Sequence, residues 1–508
     1  MVKNICSAFL LMVFLTIGCT KNESINEGIG KEQIDEVIIN KAPNDFDIEI
    51  LNISYEGATI NWTESVDPEN DDVTYSVYLN QALIIENISE RTYKFIDLEE
   101  LTNYSGKIIA KDVNNNETES TFSFQTEKYY LKYLKTYGFG ETTFGTGYAS
   151  GTPYSLLKTI AENYVVAGKS DRPNGDRFHF FVLKIDYDGN EIWKRFYNYE
   201  LGDDWNFKII QSKDNGFILV GGPFVVKLNN DGDVLWDKRI DTYLDLNYSF
   251  LSTIGQLKSV VEDIDGNIYI VGGRGSENPN IKEQAVLTKL NSFGTILWEK
   301  TYEPSRRNYF NDIILENTGN LLILGSTETN GATTTSEEQI DFWVLNANRE
   351  GEIIWENTYG DGGYDFPSQI ILKQDGNYAF AGYSWGAYDV SSGRIFEIDT
   401  EGNEVWNNTN ELSSTFSIAE TQDNGLITTG HVDFGSYGAL GIFKFDSSGN
   451  LEWDQGLQEP YTNLRGWSII SEEDGGYRIA GNLYKSYYNG EERPLLLIYK
   501  TDPFGNYN

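Results

Sequence analysis

A glycine followed four residues later by a tryptophan recurs along most of the chain, and this repeat limits the possible folds more than any other feature. The copies are Gly189/Trp193, Gly232/Trp236, Gly294/Trp298, Gly351/Trp355, Gly402/Trp406 and Gly449/Trp453. A seventh glycine in the same context, Gly505, is not followed by a tryptophan. Units that repeat at a fixed period bury their apolar surface against copies of themselves, so the repeat predicts a modular architecture.

A second marker, a glycine after a short apolar run, recurs at intervals of about fifty residues. Its copies are Gly168, Gly221, Gly272, Gly325, Gly382, Gly430 and Gly481. Each unit has four short β-rich runs separated by Asp, Asn and Gly, and no segment keeps a 3.6-residue apolar period. The sequence therefore predicts an all-β protein whose residues 128–508 form a seven-bladed β-propeller.

The strand that the seventh unit lacks is predicted to come from the beginning of the propeller. Tyr133–Gly138 matches Trp355–Gly360, with Tyr133 in the place of the tryptophan. A strand borrowed in this way joins the two ends of the ring and removes exposed sheet edges. The tryptophans are interpreted as wedges between neighbouring blades, because large aromatic side chains dominate buried area.

The Asp…Gly…Trp phrase resembles the repeat of quinoprotein-like propellers. The spacing from Asp to Gly is one residue shorter here, and neither a quinone-site constellation nor an adjacent cysteine pair is present. The resemblance therefore implies the architecture and not a quinone cofactor. The D-x-D-G-N sequence at 186–190 could suggest calcium, but the other EF-hand ligands are missing, so a hairpin turn is predicted. We expect no cofactor and no metal site.

The N-terminus has the features of a secreted, lipid-anchored protein. Residues 1–18 combine an early lysine with an apolar run too short to span a bilayer. Residues 15–19, Leu-Thr-Ile-Gly-Cys, resemble the lipobox of bacterial lipoproteins, which implies a lipidated Cys19; cleavage elsewhere, as in an ordinary signal peptide, is the alternative. Residues 19–41 comprise this cysteine and a flexible tether. Residues 20–24 loosely resemble the surface-export tag of some Gram-negative lipoproteins, which implies display on the outer membrane.

Residues 42–127 alternate as seven short strands, the pattern of an Ig-like sandwich. A strand ending in Trp62, strict alternation over 73–79 and an L-x-x-x-T-x-Y spacing ending at Tyr104 together resemble a fibronectin type III domain. That resemblance implies a core tryptophan and a tyrosine that makes a corner hydrogen bond. The acidic run 67–72 could bind calcium, but its spacing matches no known loop, and a solvated loop is predicted.

Composition excludes several classes of function. The formal net charge of −38 opposes binding to nucleic acid or to an anionic membrane surface, because phosphate contacts need clustered cations. The two cysteines, Cys6 and Cys19, precede the folded part, which therefore has no disulfide and no thiol chemistry. The two histidines, His179 and His431, cannot build a multi-histidine metal site.

Long connections are predicted on one face of the propeller, between the second and third strands and between blades. Binding surfaces are usually formed by such loops on a rigid scaffold. The predicted loops are rich in aromatic side chains, which suit stacking on sugar rings or contact with an extended peptide. The aromatic candidates for ligand binding are Trp205, Tyr364, Trp385, Tyr388 and Trp467.

The first strands of the seven units are predicted to place one polar ring at the mouth of the central channel. The ring contains Ser155, Lys208, Ser259, Asp312, Gln369, Ser417 and Ser468. It lacks the paired carboxylates of glycoside hydrolases. Asp312, expected near Arg306 and Arg307, could catalyse acid–base steps or form an ion pair that fixes a loop. His431 is the only histidine placed to act as a general base.

These features favour a non-catalytic surface lipoprotein whose propeller binds a polysaccharide or a partner protein. The organisation resembles that of accessory surface lipoproteins of bacterial glycan-uptake systems, a resemblance of architecture only. Two other functions remain open from the sequence. One is a propeller glycoside hydrolase or lyase that uses Asp312, His431 or a carboxylate pair, and the other is a scaffold subunit of an envelope complex.

Overall fold

The computed structural model describes residues 40–138, 151–171, 178–201, 207–240, 256–275, 282–330, 339–360, 362–386, 391–433, 438–458, 462–486 and 492–507. Within these ranges the protein is all-β, with thirty-five strands and no helix. A membrane-spanning helix is accordingly absent from this part of the chain. The chain divides into two compact units between Tyr129 and Tyr130.

The first unit contains seven antiparallel strands in two sheets, ordered β1-β2-β5 and β4-β3-β6-β7. The strands are β1 (Ile48–Leu51), β2 (Ala58–Trp62), β3 (Thr74–Leu79), β4 (Ala82–Ile88), β5 (Thr92–Phe95), β6 (Asn103–Lys111) and β7 (Glu117–Gln125). Alternate residues of β2 and β3 point into one core, which is what a period of two produces on a half-buried sheet. The unit is therefore the predicted Ig-like sandwich.

Two local features of this unit match the sequence interpretation, and one differs. Trp62 is buried in the core, with its ring edge-on to Tyr75 at 5.5 Å. The backbone N–H of Glu99 donates a 2.9 Å hydrogen bond to the Tyr104 hydroxyl, as a corner tyrosine requires. The acidic loop is only partly solvated, because Asp67 is buried and its Oδ1 accepts the backbone N–H groups of residues 69 and 71.

The second unit is a propeller of seven four-stranded antiparallel blades, and single parallel bridges join blade 4 to blade 5 and blade 6 to blade 7. Its first half contains β8 (Tyr133–Tyr137); β9 (Gly151–Lys158), β10 (Tyr164–Asp171), β11 (Phe178–Ile185) and β12 (Glu191–Leu201) in blade 1; β13 (Phe207–Gln211), β14 (Phe217–Gly221), β15 (Phe224–Leu228) and β16 (Val234–Arg239) in blade 2; and β17 (Gln256–Glu262), β18 (Ile268–Arg274), β19 (Gln284–Leu290) and β20 (Ile296–Tyr302) in blade 3.

The second half of the propeller continues the same order. It contains β21 (Asn308–Leu315), β22 (Leu321–Glu328), β23 (Ile340–Ala347) and β24 (Ile353–Tyr359) in blade 4; β25 (Tyr364–Leu372), β26 (Tyr378–Trp385), β27 (Ser391–Ile398) and β28 (Glu404–Asn410) in blade 5; β29 (Ser414–Glu420), β30 (Leu426–Asp433), β31 (Gly438–Phe445) and β32 (Leu451–Leu457) in blade 6; and β33 (Thr462–Ser471), β34 (Tyr477–Ser486) and β35 (Glu492–Lys500) in blade 7.

The ring closes as the sequence predicts, because β8 is the fourth strand of blade 7. It pairs antiparallel with β35, in a register from Leu496 opposite Tyr137 to Lys500 opposite Tyr133. The blade thus combines one strand from the beginning of the propeller with three from its end. The sheet edge that blade 7 would otherwise expose is covered.

Each wedge side chain lies against the turn glycine of the following blade, which confirms the predicted role of the tryptophans. The pairs are Trp193/Gly232, Trp236/Gly294, Trp298/Gly351, Trp355/Gly402, Trp406/Gly449, Trp453/Gly505 and Tyr133/Gly189. These glycines have positive φ, so they form tight turns and leave room for the ring. Gly505 therefore needs no tryptophan after it: it receives Trp453, and Tyr133 completes the circle.

A tyrosine four residues after the wedge adds a hydrogen bond at four of the seven junctions. The hydroxyls of Tyr137, Tyr197, Tyr302 and Tyr359 each donate to the carbonyl of the next blade's turn glycine at 2.6–2.7 Å. Burial raises the pKa of Tyr302 and Tyr359 to about 12, so both remain donors at neutral pH. The wedge and the tyrosine together hold neighbouring blades at their outer strands.

The glycine of the second marker lies on the second strand of each blade, where it accommodates a β-bulge in the adjacent first strand. Six of the seven first strands have such a bulge, and its extra residue is Tyr154, Lys258, Asn311, Ser368, Phe416 or Trp467. At Gly325, for example, an added Cβ would collide with the backbone carbonyl of Tyr309. Only glycine permits this close approach of two strands.

The two faces of the propeller differ as expected. The turns between first and second strands and between third and fourth strands are uniformly short. Connections on the opposite face, here named the loop face, are irregular: they range from two residues at Gly222–Pro223 in blade 2 to sixteen between β16 and β17, and only some exceed the five residues of the short turns. Many loop-face residues lie outside the described ranges.

Candidate functional site

A central cavity of about 320 Å³ is lined by the first strands of all seven blades. Six of the seven residues of the predicted polar ring line it, and the seventh, Ser259, is buried beside it. The bulge residues also line this cavity, on the side that leads to the loop face. The predicted polar ring is therefore present at the channel.

The ring residues connect neighbouring blades through hydrogen bonds to the backbone. In five junctions the ring side chain accepts the backbone N–H that follows the next ring position, at 3.1–3.3 Å: Ser155 from Ile209, Asp312 from Ile370, Gln369 from Ile418, Ser417 from Ile469 and Ser468 from Leu156. Lys208 cannot take this role because an ammonium group accepts no hydrogen bond. The ring is therefore a belt that fixes the inner strands.

Asp312 belongs to this belt and not to the predicted cluster with the arginines. It is 2% exposed and accepts hydrogen bonds from the Ser259 hydroxyl at 2.6 Å and the Ile370 amide at 3.1 Å. Its ion pair is with Lys208, at 3.4 Å across the channel, whereas Arg306 pairs with Glu328 at 3.4 Å. Both carboxylate oxygens are engaged, so the geometry supports the ion-pair interpretation over acid–base chemistry.

A second cavity, here named the rim pocket, opens between blades 3, 4 and 5 and has a volume of about 430 Å³. Three of the predicted residues, Arg307, Tyr364 and Trp385, line it together. Trp385 is 49% exposed and pairs with Tyr364 in register on adjacent strands. The pocket therefore combines a half-exposed aromatic wall with a cationic group.

The aromatic wall continues beneath Trp385. Tyr364 stacks with Phe366 at a centroid distance of 6.4 Å, and Phe366 stacks with Tyr383 at 4.9 Å. Tyr309 lines the opposite side from blade 4. Stacking holds these rings in position, so a ligand ring can be bound with little loss of side-chain entropy.

Charged side chains support the pocket from behind. Burial raises the pKa of Glu283, an effect opposed by the Tyr309 hydroxyl and by the charges of Arg307 and Arg306. The pKa of Tyr309 is raised far above its ordinary range by burial and by the adjacent Glu283 carboxylate. Tyr309 is therefore a hydrogen-bond donor at neutral pH, and Glu328 forms an ion pair with Arg306 at 3.4 Å.

The other candidate residues lie elsewhere. Trp467 lines the central cavity but is only 7% exposed: its ring stacks on Phe416 at 4.3 Å, and its indole N–H donates to Asn482 at 2.9 Å. His431 lines neither cavity. Its Nε2 lies 3.0 Å from Asn463 Oδ1, and burial and the charge of Arg465 lower its pKa. Trp205, Tyr388 and Cys19 lie outside the described residues.

Sequence reasoning missed Lys258, Asn311 and Phe366 as pocket residues, whereas Tyr309 was among the aromatic residues expected on this face. Lys258 and Asn311 are bulge residues and line both cavities, so the two cavities adjoin at these side chains. Strict alternation of side chains along each strand predicts instead that the next residues, Ser259 and Asp312, face the channel. The signal that could have identified them is the repeat glycine, which marks where a facing strand bulges.

Comparisons with known proteins give only distant similarities. No protein-family model and no curated protein matches the chain. Among solved structures it is similar to an exo-type rhamnogalacturonan lyase (TM-score 0.40, 10% identity, 92% of this chain and 90% of that chain) and to the extracellular domain assigned to a one component system of B. thetaiotaomicron (TM-score 0.40, 12% identity, 91% and 58%). It is also similar to the β-propeller domain of the Trilobed protease from Pyrococcus furiosus (TM-score 0.37, 11% identity, 71% and 97%). At these values the similarity carries no argument about ligand or activity.

Proposed function

We propose that this chain is a non-catalytic lipoprotein of the bacterial outer membrane, facing the cell surface, whose propeller binds a polysaccharide through its loop face. The observation that carries the proposal is the rim pocket, where Trp385, Tyr364 and Phe366 form an open aromatic wall beside Arg307 and Lys258. Flat rings stack on the apolar faces of sugars, while the fixed polar groups set the orientation.

The remaining parts of the chain have a place in the same proposal. Residues 1–18 direct secretion, residues 19–41 provide the lipidated Cys19 and a tether, and residues 42–127 act as a fibronectin type III-like spacer. Residues 128–508 form the propeller that carries the pocket. The support for the anchor is the lipobox-like sequence at residues 15–19, and the support for the spacer is the seven-stranded sandwich with its buried Trp62.

Affinity electrophoresis in gels that contain single polysaccharides tests the proposal. Trp385→Ala should weaken retention on the bound polysaccharide by about tenfold or more, since it removes much of the exposed stacking surface and aromatic contacts contribute on the order of 1 kcal/mol beyond area burial. Phe293→Ala is the matched control, because Phe293 is 81% exposed and does not line the pocket.

The outcomes separate the competing functions. Absence of retention on every polysaccharide tested would favour a protein partner or a scaffold role over our proposal. Chromatography of the same glycans after incubation detects an enzyme: turnover that is lost in Asp312→Asn or His431→Ala would replace the binding function with a catalytic one.

A further inference from the structure

Aromatic side chains at the mouth of the channel form one continuous row, here named the aromatic row. Neighbouring ring centroids lie 4.3–6.3 Å apart along the row, which passes through blades 2, 1, 7, 6 and 5 and contains Phe207, Tyr154, Trp467, Phe416, Tyr383 and Phe366. Its last ring, Phe366, stacks with Tyr364 in the rim pocket. The aromatic row therefore connects the central cavity with the rim pocket.

The topology of the blades places these rings at the loop face. First strands begin at this face and second strands end there: Phe207 is the first residue of β13, and Tyr383 lies near the end of β26. Tyr154, Phe416 and Trp467 are the extra residues of bulges in their first strands, and a bulge changes the direction of a side chain. The row is thus built from equivalent positions of five blades.

The rings of the row have two roles. Phe207 and Trp467 are buried and support their neighbours, whereas Tyr154, Phe416 and Phe366 are only half-buried. Tyr154 and Phe416 line the central cavity, and Phe366 lines the rim pocket. Rings that are held by stacking offer apolar area with little loss of side-chain entropy. A ligand longer than one sugar ring can therefore contact several of them at once.

Neutral hydrogen-bonding groups lie beside the row. Asn311 lines both cavities, and its Nδ2 donates to the carbonyl of Pro367 at 3.1 Å. The Ser368 hydroxyl, in the central cavity, donates to the carbonyl of Thr415 at 2.6 Å. These bonds fix both side chains and use their donors, so the amide oxygen and the hydroxyl oxygen can accept hydrogen bonds from sugar hydroxyls.

Charged groups that line the cavities are engaged within the protein. In the central cavity, Lys208 pairs with Asp312 at 3.4 Å, and Lys158 pairs with Glu162 and Glu473. An ion pair that is already made gives a charged ligand little further stabilisation, because the partner must first be displaced.

The same holds where the two cavities adjoin, and the charge of the whole chain adds to it. Lys258 donates to the side chain of Gln256, and the charge of Arg307 acts on the Glu283 carboxylate. The formal net charge is −38, so the protein as a whole repels polyanions. Apolar rings beside neutral acceptors, in a protein of this charge, favour a neutral ligand over an acidic one.

We propose that the aromatic row binds several consecutive units of a neutral polysaccharide, which lies across the mouth of the central channel from the rim pocket to Tyr154. This inference rests on the proposed function and specifies the class of its ligand and the way in which it is bound. The rim pocket holds one part of the chain, and the half-buried rings of blades 6 and 1 contact the units that follow.

The test is the dependence of affinity on chain length. The full chain is titrated by isothermal titration calorimetry with the di-, tetra- and hexasaccharides of β-1,4-linked glucose, mannose and xylose and of β-1,3-linked glucose. We expect the association constant to rise at least tenfold from disaccharide to hexasaccharide in one of these series, because each longer chain reaches further rings. Galacturonate oligomers of the same lengths should bind more weakly.

A conservative variant locates the gain. Phe416→Leu keeps apolar volume in the middle of the row but removes its ring, and it should abolish most of the increase with chain length. Phe293→Leu is the matched control, because Phe293 is 81% exposed and lines neither cavity, and it should retain the full increase. Urea unfolding checks that both variants are folded, and the wild-type length series tests the inference without them.

The contrary results are distinguishable. Affinity that is already maximal with a disaccharide, or an increase with length that is unchanged in folded Phe416→Leu, would overturn the role of the row and leave polysaccharide binding in place. Tighter binding of galacturonate oligomers would overturn the neutral ligand. Absence of binding to every oligosaccharide, together with absence of retention on every polysaccharide, would overturn the proposed function as well.

Discussion

Tyr133 is predicted to control the stability of the whole propeller. It makes the contact that closes the circle of blades, and it hydrogen-bonds the buried guanidinium group of Arg478. Its hydroxyl accepts a hydrogen bond from Arg478, whose side chain is fully buried, stacks 3.5 Å from the Tyr164 ring centroid and pairs with Glu472 at 2.6 Å. Its ring lies against Gly189 of blade 1. One side chain thus joins β8 to blade 7 and blade 7 to blade 1.

Two substitutions separate its contributions. Tyr133→Phe leaves one guanidinium N–H of Arg478 without its acceptor, and a lost hydrogen bond to a buried charged group costs about 1.5–3 kcal/mol. Tyr133→Ala also removes the half-buried ring; truncation of a fully buried aromatic side chain costs about 3–5 kcal/mol, so this ring should contribute somewhat less. The free energy of unfolding should therefore fall in the order wild type, Tyr133→Phe, Tyr133→Ala.

Urea unfolding followed by tryptophan fluorescence measures the effect, since ten of the eleven tryptophans belong to the propeller. The matched control is Tyr187→Phe: its ring is 42% exposed and lies 5.6 Å from the same Arg478 guanidinium, the substitution keeps that ring, and it should change stability by less than about 0.5 kcal/mol. We expect the whole fluorescence transition to move to lower urea as one step. If Tyr133→Ala, or deletion of residues 129–138, leaves the transition where it is, closure by β8 does not stabilise the ring.

Two further predictions concern the interior of the blades. Lys373 and Glu397 are paired at 2.6 Å with side chains 1% and 4% exposed, so Lys373→Met alone should lower the free energy of unfolding by about 3–5 kcal/mol, and adding Glu397→Leu should restore most of it. A double mutant no more stable than the single would contradict this. Gly325→Ala should destabilise by about 1–3 kcal/mol through collision with the Tyr309 carbonyl, whereas Gly456→Ala, with open space around it, should be nearly neutral; both are measured by thermal unfolding, and equal effects would argue against the bulge explanation.

The repeat determined most of the fold because each marker has a single physical function. The turn glycine needs positive φ and space for a ring, and the tryptophan supplies that ring. Matching Tyr133 to a tryptophan was therefore enough to predict the closing strand. Periodicity identifies such contacts because they recur at every junction.

The site was predictable only in part, because it depends on departures from the repeat. Asp312 was expected with Arg306, but it reaches Lys208 across the channel, and sequence spacing contains no information on the width of that channel. Lys258 was missed because a bulge reverses the side to which a residue points. Trp467 was expected to contact a ligand, yet residues from other blades cover it.

The wedge contacts also make the blades interchangeable parts. Every internal blade contributes one aromatic wedge and one turn glycine that the preceding wedge contacts. Excising or duplicating a whole unit between equivalent positions therefore leaves each wedge with a turn glycine to contact. The junction of Tyr133 with Gly189 is the exception, since its wedge comes from a strand that precedes all the units. The contact of Tyr133 with Gly189 is therefore the one junction that duplication of a whole unit would not reproduce.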